Sequence, residues 1–299
     1  MNVLLLGKSG MLGSYFLKLL AGDNDFEIFA YDYGNLDITN TNALTEIFSA
    51  VHPFFVINCA AYTAVDDCEK NVDLAFKVNG YAVGEIAKLC KEHDSILIHF
   101  STDYVFDGQK QSGYTENDTP SPVNLYGESK LTGEKLIMEN TEKYYLIRTS
   151  WLYGLEGKNF VDTMLKLSET KNEINVVNDQ VGSPTYAKDL AEAVLSNFVE
   201  PYLKEDEHHE RWLAKGKVIS DAVVPFGIYH LTNSGSCSWN EFSKEIFRLA
   251  GKDVKVNAIS SEEFPRPAKR PHYSILLNGK VRLLRDWKDG LKHYLDLKS

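Results

Sequence analysis

Tyr126 and Lys130 stand four residues apart in Tyr-Gly-Glu-Ser-Lys, a spacing that puts a phenol and an ammonium on one face of a helix. A free tyrosine, with a pKa of about 10, is too weak an acid for ready proton exchange at neutral pH. A lysine cation beside it favours the phenolate and lowers that value. The pair predicts a general acid that delivers a proton to a ketone oxygen during reduction. The spacing is common by chance. Its weight comes from Ser101-Thr102, one βα unit earlier, at the end of a predicted strand where parallel sheets bind ligands. The Thr102 hydroxyl is expected to bond the substrate carbonyl and polarise it as negative charge grows. Asn79 is a poor helix former inside a predicted helix, and is expected to hold a water linked to Lys130.

A second set of residues could hold a dinucleotide. Gly7-Lys-Ser-Gly10-Met11-Leu12-Gly13 follows a short apolar strand and opens a helix. Glycines there let the backbone turn tightly and approach a pyrophosphate, and the helix N-terminus adds free N–H groups and a positive dipole end. Asp32 falls at the end of the next strand, where a carboxylate accepts hydrogen bonds from a ribose diol and repels a 2′-phosphate. That leans toward NADH, with Lys8 close enough to soften the preference toward NADPH. In Leu36-Asp37-Ile38 the acid can meet an adenine amino group or cap the turn Asp-Ile-Thr-Asn.

Alternating strand and helix patterns must position these groups. Asn2–Leu6, Glu27–Tyr31, Phe54–Ala60, Ser95–Phe100 and Tyr145–Thr149 read as strands, the third and fourth as apolar runs buried on both faces. Met11–Ala21, Asn71–His93 and Tyr126–Glu139 read as helices between them. The order predicts βαβ units, and an α/β fold with a doubly wound parallel sheet. A dinucleotide-binding domain is expected over 1–150. A smaller α/β substrate domain is expected over 151–299, with helices at Ala187–Val199 and Trp239–Leu249 and a strand near 227–232 that returns to the sheet. The stretch Tyr202–Lys217 is highly charged and reads as a surface insertion. Its neighbours His208 and His209 do not share a helix face, which disfavours a metal role.

Composition narrows the classes. The chain has 299 residues, 43% hydrophobic and 25% charged, enough for a large buried core. A net charge of −10 argues against a nucleic-acid partner. No apolar run reaches the roughly 18–20 residues of a membrane helix, and Met1–Leu6 does not read as a secretory leader, so a cytoplasmic protein is expected. Cys59, Cys68, Cys90 and Cys237 show no metal-ligand spacing and are expected to be free thiols.

Taken together and in order, these pieces carry a resemblance. To them belong Asn58-Cys-Ala-Ala-Tyr-Thr63, Ser101-Thr-Asp-Tyr-Val-Phe-Asp-Gly108, Arg148-Thr-Ser-Trp151, Asn178-Asp-Gln-Val-Gly-Ser-Pro-Thr185, Tyr229-His-Leu231 and Arg266-Pro-Ala-Lys-Arg-Pro271. The chain resembles the extended short-chain dehydrogenase/reductases, and within them the dTDP-4-dehydrorhamnose reductase family, over nearly its whole length. The resemblance implies hydride transfer from NADPH or NADH to C4 of a nucleotide-linked 4-keto-6-deoxy sugar. Tyr126 would supply the proton, Lys130 would tune it and bond the nicotinamide ribose, and Thr102 would hold the ketone. Ala60, Ala61 and Tyr62 would line the cofactor, joined by Gly7, Gly10, Met11, Leu12, Gly13, Asp32, Asp37, Ile38 and Asn79. Asp103, Tyr104, Val105, Trp151 and Asn159 would line the sugar pocket.

Arg266, Lys269 and Arg270 cluster in a proline-stiffened loop, suited to the substrate diphosphate. Related dehydratases carry an acid where this chain has Tyr104, so ketone reduction fits better than elimination. Some relatives hold Mg²⁺ at a dimer contact. Here Tyr15 and Lys188 stand where acids would be, so no metal and a monomer or weak homodimer are expected. Tyr273 stands where the family often has asparagine. The alternatives are another nucleotide-sugar 4-ketoreductase, or a non-catalytic binding subunit of the methionine adenosyltransferase regulatory type.

Overall fold

The computed structural model describes residues 1–203 and 223–298. The charged stretch with His208 and His209 therefore lies almost entirely outside the described residues.

Six parallel strands form the central sheet: β1 (Asn2–Leu6), β2 (Glu27–Tyr31), β3 (Phe55–Asn58), β4 (Ile96–Thr102), β5 (Tyr144–Thr149) and β10 (Gly227–His230). Their order is β10-β5-β4-β3-β1-β2, so the winding reverses between β1 and β3. A crevice opens at such a reversal, outside the carboxyl ends of the strands. The glycine loop after β1 and the segment after β3 both end there.

Alternation along the strands builds two cores. Val3 and Leu5 face one side, with Phe16 of α1 (Met11–Leu20) and Leu190 of α8 (Ala187–Val194). Leu4 and Leu6 face the other, with Phe48 of α2 (Thr41–Val51) and Ile86 of α5 (Ala82–Glu92). The first core continues into the C-terminal half through Tyr153, Phe198, Phe242 and Tyr294, so that half packs directly on the sheet. It carries small ladders, β12 (Lys255–Ile259) on β7 (Glu173–Val177) and β11 (Cys237–Ser238) on β8 (Val181–Gly182).

The predicted helix over Asn71–His93 is interrupted. α4 (Val72–Phe76) passes through a π turn at Lys77–Tyr81 before α5 begins. π turns recur at functional sites because they re-aim side chains. Here the turn buries Asn79, while Leu74 one turn earlier remains 45% exposed. Among the described residues no helix is long and apolar enough to cross a membrane.

Candidate active site

The glycine loop is shaped by close backbone approach. Gly7 has φ +81°, and a Cβ on Gly13 would lie 2.1 Å from the Gly7 carbonyl oxygen. Only hydrogen fits there, so the first turn of α1 closes on the loop and aims its free N–H groups outward. Gly10 is the N-cap of α1 and uses no side-chain cap.

Beside this loop lies a cavity of about 440 Å³, walled by Gly7, Gly10, Asp32, Asp37, Ile38 and the Ala60–Tyr62 segment, with Tyr33 and Leu74. Asp32 accepts hydrogen bonds from the Ser9 hydroxyl and the Gly34 N–H. These, with burial opposing and Lys8 assisting, hold its carboxyl below the ordinary range. Asp37 accepts the Thr39 N–H at 2.9 Å, closing the Asp-Ile-Thr turn while still lining the cavity.

A second cavity of about 360 Å³ shares Gly10, Cys59, Ala60 and Ala61 with the first, and reaches Met11, Leu12, Thr102, Asp103, Tyr126, Lys130 and Trp151. A third, of about 470 Å³, shares Thr102, Asp103, Tyr126, Trp151 and Lys158 with the second, and adds Tyr104, Asn159 and Trp239. The three form one continuous cleft along the carboxyl edge of the sheet. Thr102 and Tyr126 stand where its second and third chambers meet.

Tyr126 lies in the first turn of α6 (Leu125–Asn140), whose N-cap Asn124 accepts the Gly127 N–H at 2.8 Å. Its ring meets Tyr104 edge-on, with centroids 5.8 Å apart. Burial pushes the phenol above its ordinary range, while the Thr102 hydroxyl, within hydrogen-bonding reach, pulls it down. Asp103, Tyr104 and Cys68 raise it further. Lys130, four residues further along α6, sends its Nζ to β4, donating to the Phe100 carbonyl at 2.6 Å with His99 Nε2 at 3.4 Å. Burial lowers the Lys130 ammonium to about 8.

Asp103 is buried. Burial pushes its carboxyl up to about 7, against hydrogen bonds from Ser274 and Thr102 that lower it. Its Oδ2 has no hydrogen-bond partner.

Several expected contacts fall differently. Val105 is fully buried in a small core with Phe106, Tyr114 and Leu276. It follows Tyr104 in a 3₁₀ turn that sends the two side chains in different directions, so it does not line the sugar chamber. The Asn79 side chain is engaged by protein groups: its Oδ1 accepts the Tyr62 N–H at 2.8 Å, and its Nδ2 donates to the Tyr62 carbonyl and the Ser129 hydroxyl. It fastens the Tyr62 loop to α6 from behind. Asn159 lines the third chamber, but its side chain caps α7 (Phe160–Ser168) and bonds Gly154, Asp162 and Tyr294.

Both arginines of the basic loop converge on Asp66, Arg266 at 2.7 Å and Arg270 at 2.6 Å. Arg270 also acts on the Tyr104 phenol, favouring its ionised form against the stronger opposing effect of burial. With Lys269 exposed beside them, none of the three lines the cleft chambers described above. The Tyr15 hydroxyl meets Tyr186 and accepts the Leu155 N–H, and Lys188 pairs with Glu192.

Residue patterns missed three contributors. Lys158 lines both inner chambers from the Gly154–Asn159 loop. Trp239 stacks on Trp151 with centroids 3.5 Å apart and planes within 3°. Tyr33 borders the outermost chamber. The last two pairings are long-range or depend on loop conformation, and neither leaves a local spacing signal.

The family model described as the RmlD substrate binding domain matches residues 1–299. The dTDP-4-dehydrorhamnose reductase of Aggregatibacter actinomycetemcomitans is 38% identical over 303 residues, 98% of this chain and 97% of that protein. A crystal structure of a dTDP-4-dehydrorhamnose reductase from Clostridium acetobutylicum ATCC 824 superposes with a TM-score of 0.87 at 42% identity, covering 100% of this chain and 99% of that one. The dTDP-4-dehydrorhamnose reductase of Bacillus anthracis str. Ames, solved in complex with NADP, superposes with a TM-score of 0.85 at 36% identity, covering 100% and 99%.

Proposed function

The chain belongs to the RmlD substrate binding domain family, and from that premise we propose that it reduces the C4 ketone of a dTDP-4-keto-6-deoxy-L-hexose with NADPH or NADH, giving dTDP-L-rhamnose. The observation that carries the reading is the continuous cleft, with a glycine loop at one end, an aromatic chamber at the other, and Thr102 and Tyr126 at the junction.

The residues present fit a dinucleotide, because the Gly7–Gly13 cradle would be filled by any Cβ at Gly13. Gly10, Met11 and Leu12 would hold its diphosphate, Asp32 its adenosine ribose, and Ala60, Ala61 and Tyr62 the wall between. When bound, the cofactor supplies the hydride. This chain's own residues handle the oxygen. Thr102 orients the carbonyl, and Tyr126 gives its proton as negative charge develops on the oxygen. The high proton affinity of the buried phenol keeps that proton in place until the carbonyl oxygen becomes basic. Lys130, seated deeper, holds the neighbouring positive charge. Asp103, Tyr104 and Trp151 wall the sugar. Lys158, which lines the two inner chambers, is a cation able to meet a substrate phosphate there.

The test is oxidation of NADPH or NADH with dTDP-4-keto-6-deoxy-L-hexose, followed by identification of the product sugar. Folded protein that oxidises neither cofactor refutes the reading. A product epimeric at C4 makes it a different 4-ketoreductase. Tyr126→Phe is expected to lower kcat by about 10²–10⁴ while cofactor affinity is kept. Undiminished turnover by that variant removes Tyr126 from the proton-donor role.

A further inference from the structure

His99 is fully buried in the middle of β4, a place where parallel sheets ordinarily carry apolar side chains. It pairs in register with Asn58 of β3, and the two side chains meet at 3.2 Å between Asn58 Nδ2 and His99 Nδ1. The amide orientation is fixed, because Asn58 Oδ1 accepts the Ala60 N–H at 3.0 Å. Asn58 therefore offers His99 a donor, and Nδ1 must be the unprotonated nitrogen. Burial and the adjacent Lys130 keep the imidazole uncharged well below its ordinary range. A neutral ring with Nδ1 bare carries its hydrogen on Nε2.

That hydrogen points at Lys130, whose Nζ is 3.4 Å away. An ammonium has three donors and no lone pair, so it cannot accept from Nε2–H. A neutral amine can: it accepts from His99 and still donates to the Phe100 carbonyl at 2.6 Å. The other groups acting on Lys130 are Glu134, on the same helix, and Cys59, at the end of β3. Among the described residues, Lys130 is the charged group acting on His99.

We propose that His99 is a positioning residue for Lys130: locked by Asn58 as the Nε2–H tautomer, it holds the amine form of the lysine by hydrogen bond and so sets the pH at which the site loses its reserve proton. The inference rests on the ketone-reductase reading, and deepens it. Tyr126 gives up one proton in each turnover, and a buried lysine poised between ammonium and amine is the neighbouring group able to make good that loss. Without the His99 donor the lysine would stay charged to higher pH. Above neutrality, Lys130 titrates at about 8 and Asp103 at about 7, whereas burial keeps the Tyr126 phenol protonated further up. Asp103 and His99 are not among the groups acting on one another, so the Asp103 step stays in place when His99 changes.

Two measurements test this. Long-range ¹⁵N–¹H correlation on the full chain, with His99 assigned from the spectrum of His99→Gln, is expected to show a bare Nδ1 and a protonated Nε2 between pH 6 and 9. An Nδ1–H tautomer or an imidazolium overturns the proposal, and this arm needs no turnover, so it stands apart from failure of the substrate assignment. In the second, the alkaline limb of the kcat profile for ketone reduction is compared among variants. His99→Leu is expected to move the limb up by about one pH unit, the scale of one hydrogen bond to a charged group. His99→Gln keeps a donor toward Nζ and an acceptor toward Asn58, and is expected to restore the wild-type limb. A purely structural role would lower activity at every pH and leave the limb where it was, which overturns the proposal.

Discussion

At Asp103 a single proton decides what Thr102 can do. The Thr102 hydroxyl donates to Asp103 Oδ1 at 3.0 Å and accepts the Tyr104 N–H at 3.2 Å, so its one hydrogen points away from the cleft junction while the carboxylate is ionised. A protonated Asp103 donates instead, and frees the threonine hydrogen for a ketone. Burial raises this carboxyl to about 7, above its unfolded value of 3.8. A raised folded pKa means that the native state binds the proton more tightly. The associated stability is therefore present below about pH 4 and lost as pH rises through 7. Asp103→Asn removes that dependence. The variant is expected to gain on the wild type between pH 5 and pH 8.5 by on the order of 3 kcal/mol, since the slope runs only from pH 5 to about 7 within that window. Urea unfolding at the two pH values reads the gain directly. A difference that does not change with pH would mean that the carboxyl is not held protonated by the fold.

At the scale of elements, the strands were legible because burial on both faces leaves continuous apolar runs. α6 was legible over Tyr126–Glu139 and through the phenol–ammonium spacing, whereas its cap at Asn124 emerged only from the structure. The π turn at Lys77–Tyr81 was not legible, because it is imposed from outside: Asn79 grips Tyr62 and Ser129, and no local periodicity records that grip. The same holds for the wall of the third chamber. Trp151 takes a left-handed backbone, φ 47°, which costs a bulky side chain on the order of 1–3 kcal/mol. Gly182 makes room on one side, since a Cβ there would lie 2.6 Å from the indole, and Trp239 stacks on the other. Trp239 leads α9 (Trp239–Leu249), whose capping box pairs Ser238 with Glu241 and fixes where the helix begins. Trp239→Ala is expected to raise the KM for the sugar nucleotide about tenfold, with kcat within about twofold, by releasing Trp151 from its slot. It should also abolish the exciton band of the stacked indoles in circular dichroism. A lost band with an unchanged KM would separate the stack from substrate binding.

At the scale of the whole molecule, one buried ion pair ties the catalytic strand to the elements around it. Arg148 of β5 grips Glu134 of α6 through two hydrogen bonds, at 3.0 and 2.6 Å, with both side chains at most 2% exposed. Ser101 of β4 donates to the same carboxylate, the guanidinium lies over the Phe106 ring at 5.1 Å, and its Nη1 meets His230 of β10 at 3.5 Å. Burial and Arg148 lower His230 to about 3, so the imidazole stays neutral through the physiological range and adds no competing charge. The sequence showed Arg148 as a matching motif piece and placed Tyr229-His-Leu231 in a strand near 227–232 returning to the sheet, which β10 does. Their joint role depends on β10 returning to lie against β5, a contact spanning about eighty residues. Such a pair is weak as a net source of stability, because both ions leave water, yet removing one partner strands the other. Arg148→Met is therefore expected to destabilise the fold by about 3–5 kcal/mol, and Glu134→Gln in the Arg148→Met background to recover part of that loss. Chemical unfolding of the single and double variants measures the coupling. Strictly additive losses would show that the two charges do not answer one another, and that the strand carrying Thr102 is held by apolar packing alone.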